Sequence, residues 1–253
     1  MCVSKKFSQE KSVTWLYNYS MTMHYSLDTT ELNLTPRERT DLLSLAQSPK
    51  CVNKEMLHSI RNTRYEHIPL WLHDKYKGFD LSIEYIAFFV FGEYIPAGRS
   101  FRMLHSDLDW SGSEWYPCKA ALNYELTRYT TRMEWWDMTE ARQTAFTPVE
   151  GEHMGIRPNG IHYGSRNTST GIPGEHTGAR KLDEGVLGDK PVIIRTDVPH
   201  IVYAEEFIKE ERVSISIRFK ENPSIGELYA KLQQGPVGKD DTQNDTSSGS
   251  EKV

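Results

Sequence analysis

The sequence predicts an α+β fold that is mainly β, a β-sandwich or barrel core with helices from the N-terminal part packed on one sheet. Three observations carry this expectation. Helix signals cluster before residue 65, an apolar run with strand character spans residues 83–91, and short strand-like segments follow as far as residue 219. No internal repeat interrupts that order.

Taken in order, the first helix is signalled by Thr35-Pro36-Arg37-Glu38. Thr35 is placed to cap the helix, Pro36 fits its first position, and Glu38 completes a capping box. Leu42, Leu43, Leu45 and Ala46 supply its apolar side. Met56, Leu57 and Ile60 recur at helical spacing and predict a second helix over Lys54–Thr63. From about Leu81 the period changes. Ile83, Tyr85, Ala87, Phe89 and Phe91 alternate with Ile86, Phe88 and Val90, so this strand is expected to be buried on both faces. Further strands are expected at Ser100–Asp107, Ala120–Thr127, Arg132–Trp136, Pro191–Thr196, His200–Ala204 and Arg212–Phe219. Residues 150–189 are rich in Gly, Asn, Thr and Pro and read as one long loop or lid. The polar segment 235–253 has too few bulky apolar groups to offset its chain entropy and reads as a disordered tail. The resulting division is a helical support region at 1–80, a β core at 81–234 and the tail.

Composition narrows the function. Thirteen Tyr, nine Phe and six Trp among 253 residues provide the area for a real core. A net charge of −5 and a pI near 6.0 argue against a protein that grips nucleic acid through phosphates. No apolar run reaches the roughly 20 residues of a membrane span, and the first residues lack the apolar stretch of a signal peptide. Cys2, Cys51 and Cys118 are odd in number and widely spaced, which fits free thiols in a reducing cytoplasm.

The chemistry-bearing segment is Met103-Leu104-His105-Ser106-Asp107-Leu108-Asp109. Residues i and i+2 of a strand share a face, so His105 and Asp107 would enter one cavity together. An imidazole and a carboxylate are suitable ligands for Fe(II), and two His with one carboxylate leave positions open on the metal. Asp109 shares that face as a competing carboxylate or a supporting partner. His200, after the turn Asp197-Val198-Pro199, offers the third ligand. Arg212-Val-Ser-Ile-Ser-Ile-Arg-Phe219 then alternates: Arg212, Ser214, Ser216 and Arg218 lie on one face, which meets either solvent or a polar cavity. A guanidinium is the natural fork for a carboxylate, and a nearby hydroxyl can add a hydrogen bond.

His105-x-Asp107, then His200, then Arg212-x-Ser214 resembles the H-x-D…H…R-x-S pattern of Fe(II)/2-oxoglutarate-dependent oxygenases. The His-to-Arg spacing looks most like the aspartyl/asparaginyl β-hydroxylase-like branch, which includes phage-encoded members. Animal members of that branch commonly lack the carboxylate ligand that this chain keeps in Asp107. The resemblance covers roughly residues 80–220. It implies a double-stranded β-helix, or jelly roll, with His105, Asp107 and His200 holding Fe(II) near one mouth. It further implies that 2-oxoglutarate chelates the iron while Arg212, aided by Ser214, holds the distal carboxylate, with Arg218 as the alternative anchor. The expected activity is dioxygenase chemistry with O2, by default hydroxylation of a peptidyl side chain, an amino acid or another small molecule. The expected location is the cytoplasm, that of the host cell for a phage protein.

Asn123 and Glu125 share a face of the strand Ala121–Leu126 and are candidates to line the cavity. Asn123 or Tyr124 could bond 2-oxoglutarate. Glu134-Trp135-Trp136-Asp137 reads as a core corner without a catalytic role. Two other readings remain open at the level of sequence: a metal-binding cupin-like enzyme indifferent to 2-oxoglutarate, and a non-catalytic jelly-roll binding or virion-associated protein.

Overall fold

A computed structural model describes residues 22–48, 60–63, 65–101, 104–110, 115–137, 161–163 and 180–236. In chain order the elements are β1 (His24–Ser26), α1 (Pro36–Gln47), β2 (Ile60–Asn62), α2 (Leu70–Lys77), β3 (Ile83–Phe91), β4 (Leu104–Ser106), β5 (Leu108–Trp110) and β6 (Trp115–Pro117). They continue with β7 (Ala120–Glu125), β8 (Thr131–Asp137), β9 (Ile161–Tyr163), β10 (Arg180–Leu187), β11 (Val192–Arg195), β12 (His200–Ala204), β13 (Arg212–Phe219) and α3 (Ile225–Gln233).

The strands form two antiparallel sheets and one short ribbon. The larger sheet has the order β1-β11-β7-β13-β3-β2, the smaller β10-β8-β12-β4-β9, and β5 pairs with β6. The fold is therefore mainly β with few helices, as the sequence predicts.

Period two explains why the large sheet has two unlike faces. Val213, Ile215 and Ile217 of β13 join Ile86, Phe88 and Val90 of β3 on one side. Leu42 and Ala46 of α1, Leu72 and Tyr76 of α2, and Leu228 and Leu232 of α3 cover them in one buried cluster. Each of the Val, Leu, Ile and Phe side chains among them contributes about 1.5–3 kcal/mol on full burial. The opposite face looks toward the smaller sheet. There Ala121, Val192 and Ile194 pack on Met133, Trp135 and Leu187, which ties the two sheets together at one end.

The capping box at Thr35 forms as expected. Glu38 N–H donates to Thr35 Oγ1 at 3.2 Å, and Thr35 N–H donates to Glu38 Oε2 at 2.7 Å. Ser224 and Glu227 build the same box on α3, a helix whose S-x-x-E signal is legible in the sequence but was not among the expected elements. Helix α2 was not expected either. Its apolar pair, Leu72 and Tyr76, sits four residues apart after Pro69.

Three expectations need correction. Ile60–Asn62 is a strand against Ala87–Phe89 rather than the end of a helix, because an available sheet edge outweighs weak helical spacing. The remainder of that expected helix lies outside the described residues. The loop expected at 150–189 contains β9, paired with β4, and β10, paired with β8; polar strands like β10 carry no apolar alternation to reveal them. Of the strand expected at Ser100–Asp107, the described residues form Leu104–Ser106 and an isolated bridge of Ser100 to Tyr203, while residues 102–103 lie outside the described ones. Of the tail, only residues 235 and 236 are described.

β1, β2, α1 and α2 all come from the first eighty residues, and they complete the large sheet and its helical cover. No described helix is long and apolar enough to cross a membrane.

Candidate metal centre

β12 runs between β8 and β4, so His200 lies directly opposite His105 on one side and Trp135 on the other. Cross-strand neighbours on one face stand close together. The two imidazole rings are accordingly 4.5 Å apart between centroids. Asp107 follows β4 immediately, and two main-chain bonds fix it: its N–H donates to Thr196 O at 2.8 Å, and its carbonyl accepts from Cys118 N–H at 3.1 Å. Its Oδ1 lies 3.5 Å from His105 Nε2. Ligand atoms of His105, Asp107 and His200 all fall within 4.8 Å of one another, so this buried group can bind a metal ion.

The supports of the triad agree with that capacity. His200 Nδ1 lies 2.8 Å from Val198 O, which fixes the ring and leaves Nε2 as the ligand atom. Trp135, beside His200, is fully buried, stacks on His24 and donates from Nε1 to Arg195 O at 2.8 Å. It belongs to the core, as the sequence reading holds for this pair of tryptophans. Asp109 is in β5, paired with Tyr116, and its side chain lies outside the described residues.

The polar face of β13 looks into the space between the sheets. Arg212, Ser214, Ser216 and Arg218 are all buried there, lining with the triad a cavity of about 490 Å³, part of it open to solvent. Phe89, Phe91, Phe101, Ile194 and Val202 supply its apolar wall. The solvent-facing alternative for this strand face is thereby excluded.

The two arginines have different partners. Arg218 Nη2 donates to Asp107 Oδ2 at 2.5 Å, while its Nη1 donates to Thr196 Oγ1 at 2.8 Å and to Cys118 Sγ at 3.2 Å. Burial works against the Arg218 charge, but Cys118 and Asp107 outweigh it and hold its pKa above the ordinary value. Thus Oδ2 of Asp107 is occupied and Oδ1 faces the histidines. Arg212 sits toward the other end of the same strand, about 20 Å away along the backbone at ~3.4 Å per residue. Its Nη2 lies 2.6 Å from Glu125 Oε2 and 3.1 Å from Thr131 Oγ1. Burial raises the Glu125 carboxyl, with Arg212 opposing the rise, and burial lowers Arg212.

Asn123 does line the cavity, and its Oδ1 is buried without a hydrogen-bond partner. Ser216 Oγ and the Nε atoms of Arg212 and Arg218 are likewise buried without one. Tyr124 is a correction. Its hydroxyl points into the helix layer, 2.5 Å from Tyr76 Oη and donating to Leu32 O at 2.9 Å, because alternation turns it away from Asn123. The sequence reading gives Cys118 and Thr196 no part in the site, yet the fold brings both to Arg218 from connecting segments. No local pattern marks them.

No protein-family model matches the chain, and no curated protein matches it. Among solved structures, the X-ray structure of E. coli ycfD is similar with a TM-score of 0.34 and 11% sequence identity, over 91% of this chain and 60% of that chain. This chain therefore spans about 60% of that chain's length. So slight a likeness carries no argument about function.

Proposed function

We propose that the chain is an Fe(II)- and 2-oxoglutarate-dependent oxygenase, most simply a hydroxylase, on a double-stranded β-helix core. The observation that carries this reading is the convergence of His105, Asp107 and His200 beside a cavity whose inner strand presents two buried arginines. The donor set, two imidazoles and one carboxylate, suits Fe(II) and leaves coordination positions for a chelating cosubstrate and O2. Bound iron with 2-oxoglutarate would supply the oxidising chemistry. The chain's own residues hold and orient: His200 through Val198, and Asp107 through Arg218 and two main-chain bonds.

Unpartnered polar atoms on Asn123, Ser216 and both arginines fit a polar ligand inside the cavity. Arg212 keeps the role of distal-carboxylate anchor, since Arg218 is committed to the ligand Asp107. Phe89, Phe91 and Phe101 exclude water around that ligand. The substrate is then a peptidyl side chain, an amino acid or another small molecule that reaches the metal end.

Anaerobic titration with Fe(II) and then 2-oxoglutarate tests the reading. The expected result is a weak visible metal-to-ligand charge-transfer band, lost in His105→Ala and His200→Ala and requiring more 2-oxoglutarate in Arg212→Ala. Folded protein that binds Fe(II) without the band would support a metal-dependent enzyme that does not use 2-oxoglutarate. The prior pairing of Arg212 with Glu125 is the observation that favours this second reading.

A further inference from the structure

Away from the triad, one buried cation meets one buried carboxylate. Arg212 Nη2 and Glu125 Oε2 are 2.6 Å apart, with side chains only 2% and 1% exposed. The groups facing this pair can be named element by element. Thr127, after β7, donates from its N–H and hydroxyl to Glu125 Oε1 at 3.2 and 2.6 Å. Thr131 on β8 accepts from Arg212. Arg39 of α1 donates to the main-chain carbonyl of Glu125, not to its carboxylate. Lys190, between β10 and β11, lines the outer side but is paired with Asp28. The rings of Phe91 and Phe101 flank the guanidinium at 5.9 and 5.0 Å. Arg212 is therefore the one cation directed at the Glu125 carboxylate among the described residues, and Glu125 already occupies it.

We infer that Glu125 is an exchangeable internal counter-ion: a dicarboxylic ligand entering the cavity takes its place on Arg212, and Glu125 accepts one proton from solvent. The inference rests on the proposed function, which assigns that ligand as 2-oxoglutarate. Charge balance compels it. Two carboxylates against one guanidinium leave a buried negative charge, which a low-dielectric interior resists strongly. Burial already favours the neutral form of Glu125, and ligand binding pairs with the ligand's carboxylate the Arg212 charge that opposes it. The unpartnered Ser216 Oγ and Arg212 Nε, both able to donate, belong to residues that line the cavity, where the incoming carboxylate would arrive. A narrow second pocket, open to solvent, is lined by Glu125, Arg212, Gly188 and exposed Lys190, giving the proton a route.

Calorimetric titration of the Zn(II)-loaded protein with 2-oxoglutarate, in buffers of differing ionisation enthalpy at pH 7–8, measures the linked proton. The wild type is expected to take up about one proton per ligand, and its affinity to fall about tenfold per pH unit over that range. Glu125→Gln is expected to bind without proton uptake, independently of pH and more tightly than wild type at pH 8. Binding by the wild type with no proton uptake, or uptake that persists in Glu125→Gln, overturns the inference alone. Metal-loaded wild type that binds no 2-oxoglutarate at any pH overturns the proposed function and this inference together. The wild-type proton count stands as a test even if the variant fails to fold.

Discussion

Replacing Arg218 with Met probes the centre without touching a proposed ligand. The guanidinium donates to Asp107 Oδ2 at 2.5 Å, and the two side chains are 5% and 16% exposed. Removing one partner of a buried pair costs about 3–5 kcal/mol, and the partial exposure of Asp107 places this case near about 3 kcal/mol. For a chain of this size that is a fall in Tm of about 6–12 °C in chelator. Two opposed effects then act on added metal. Losing Arg218 frees the carboxylate to reorient, which weakens binding, but it also removes a cation that repels the incoming ion. The main-chain bonds of Asp107 to Thr196 and Cys118 persist in the variant, so reorientation is limited and the charge effect dominates. Thermal melts in chelator and then in excess Zn(II) or Mn(II) should show a larger metal-induced rise for Arg218→Met than for wild type. An unchanged Tm in chelator, or a smaller rise with metal, would refute this account of how Asp107 is held.

The other expectations concern ligands, packing and pH. Metal at a hundred times its dissociation constant should stabilise wild type by about 2.7 kcal/mol, and a hundredfold loss of affinity in His105→Ala or His200→Ala would leave about 0.4 kcal/mol; metal-dependent melts distinguish the two. At Gly185 an added Cβ would lie 2.9 Å from the His24 ring that stacks on Trp135. Because that ring can give way, Gly185→Ala should cost only about 1 kcal/mol by urea denaturation, at the low end of overpacking. Burial works against the Glu38 carboxylate, but the Thr35 bonds and Lys75 outweigh it and hold its pKa below 4.5. A lowered folded pKa contributes stability that is present above about pH 4.5 and lost as pH falls through the folded value. Urea midpoints should therefore decline more steeply between pH 5 and 3 for wild type than for Glu38→Gln.

What is legible in the sequence is what neighbouring residues encode. Period two in β3 and β13, the capping box at Thr35, and the placement of His105 two residues before Asp107 are local features. Each follows from backbone geometry repeated over a few residues. The same alternation shows that Arg212, Ser214, Ser216 and Arg218 share a face, but not what that face meets. Helix α3 carries a readable signal in Ser224 and Glu227, whereas strand β10 has none, since its burial depends on the strand beside it.

The centre itself is a product of sheet register. His200 becomes a neighbour of His105 only because β12 pairs with β4, and no spacing along the chain encodes that pairing. The roles of the two arginines are decided in the same way. Their chemistry is alike in the sequence, yet the fold gives Arg218 to Asp107 and Arg212 to Glu125, because β13 crosses the cavity from one end to the other between β7 and β3. Local periodicity thus determined which faces are polar and which apolar. Long-range strand pairing, whose free energy is spread over many distant contacts, decided which polar groups meet.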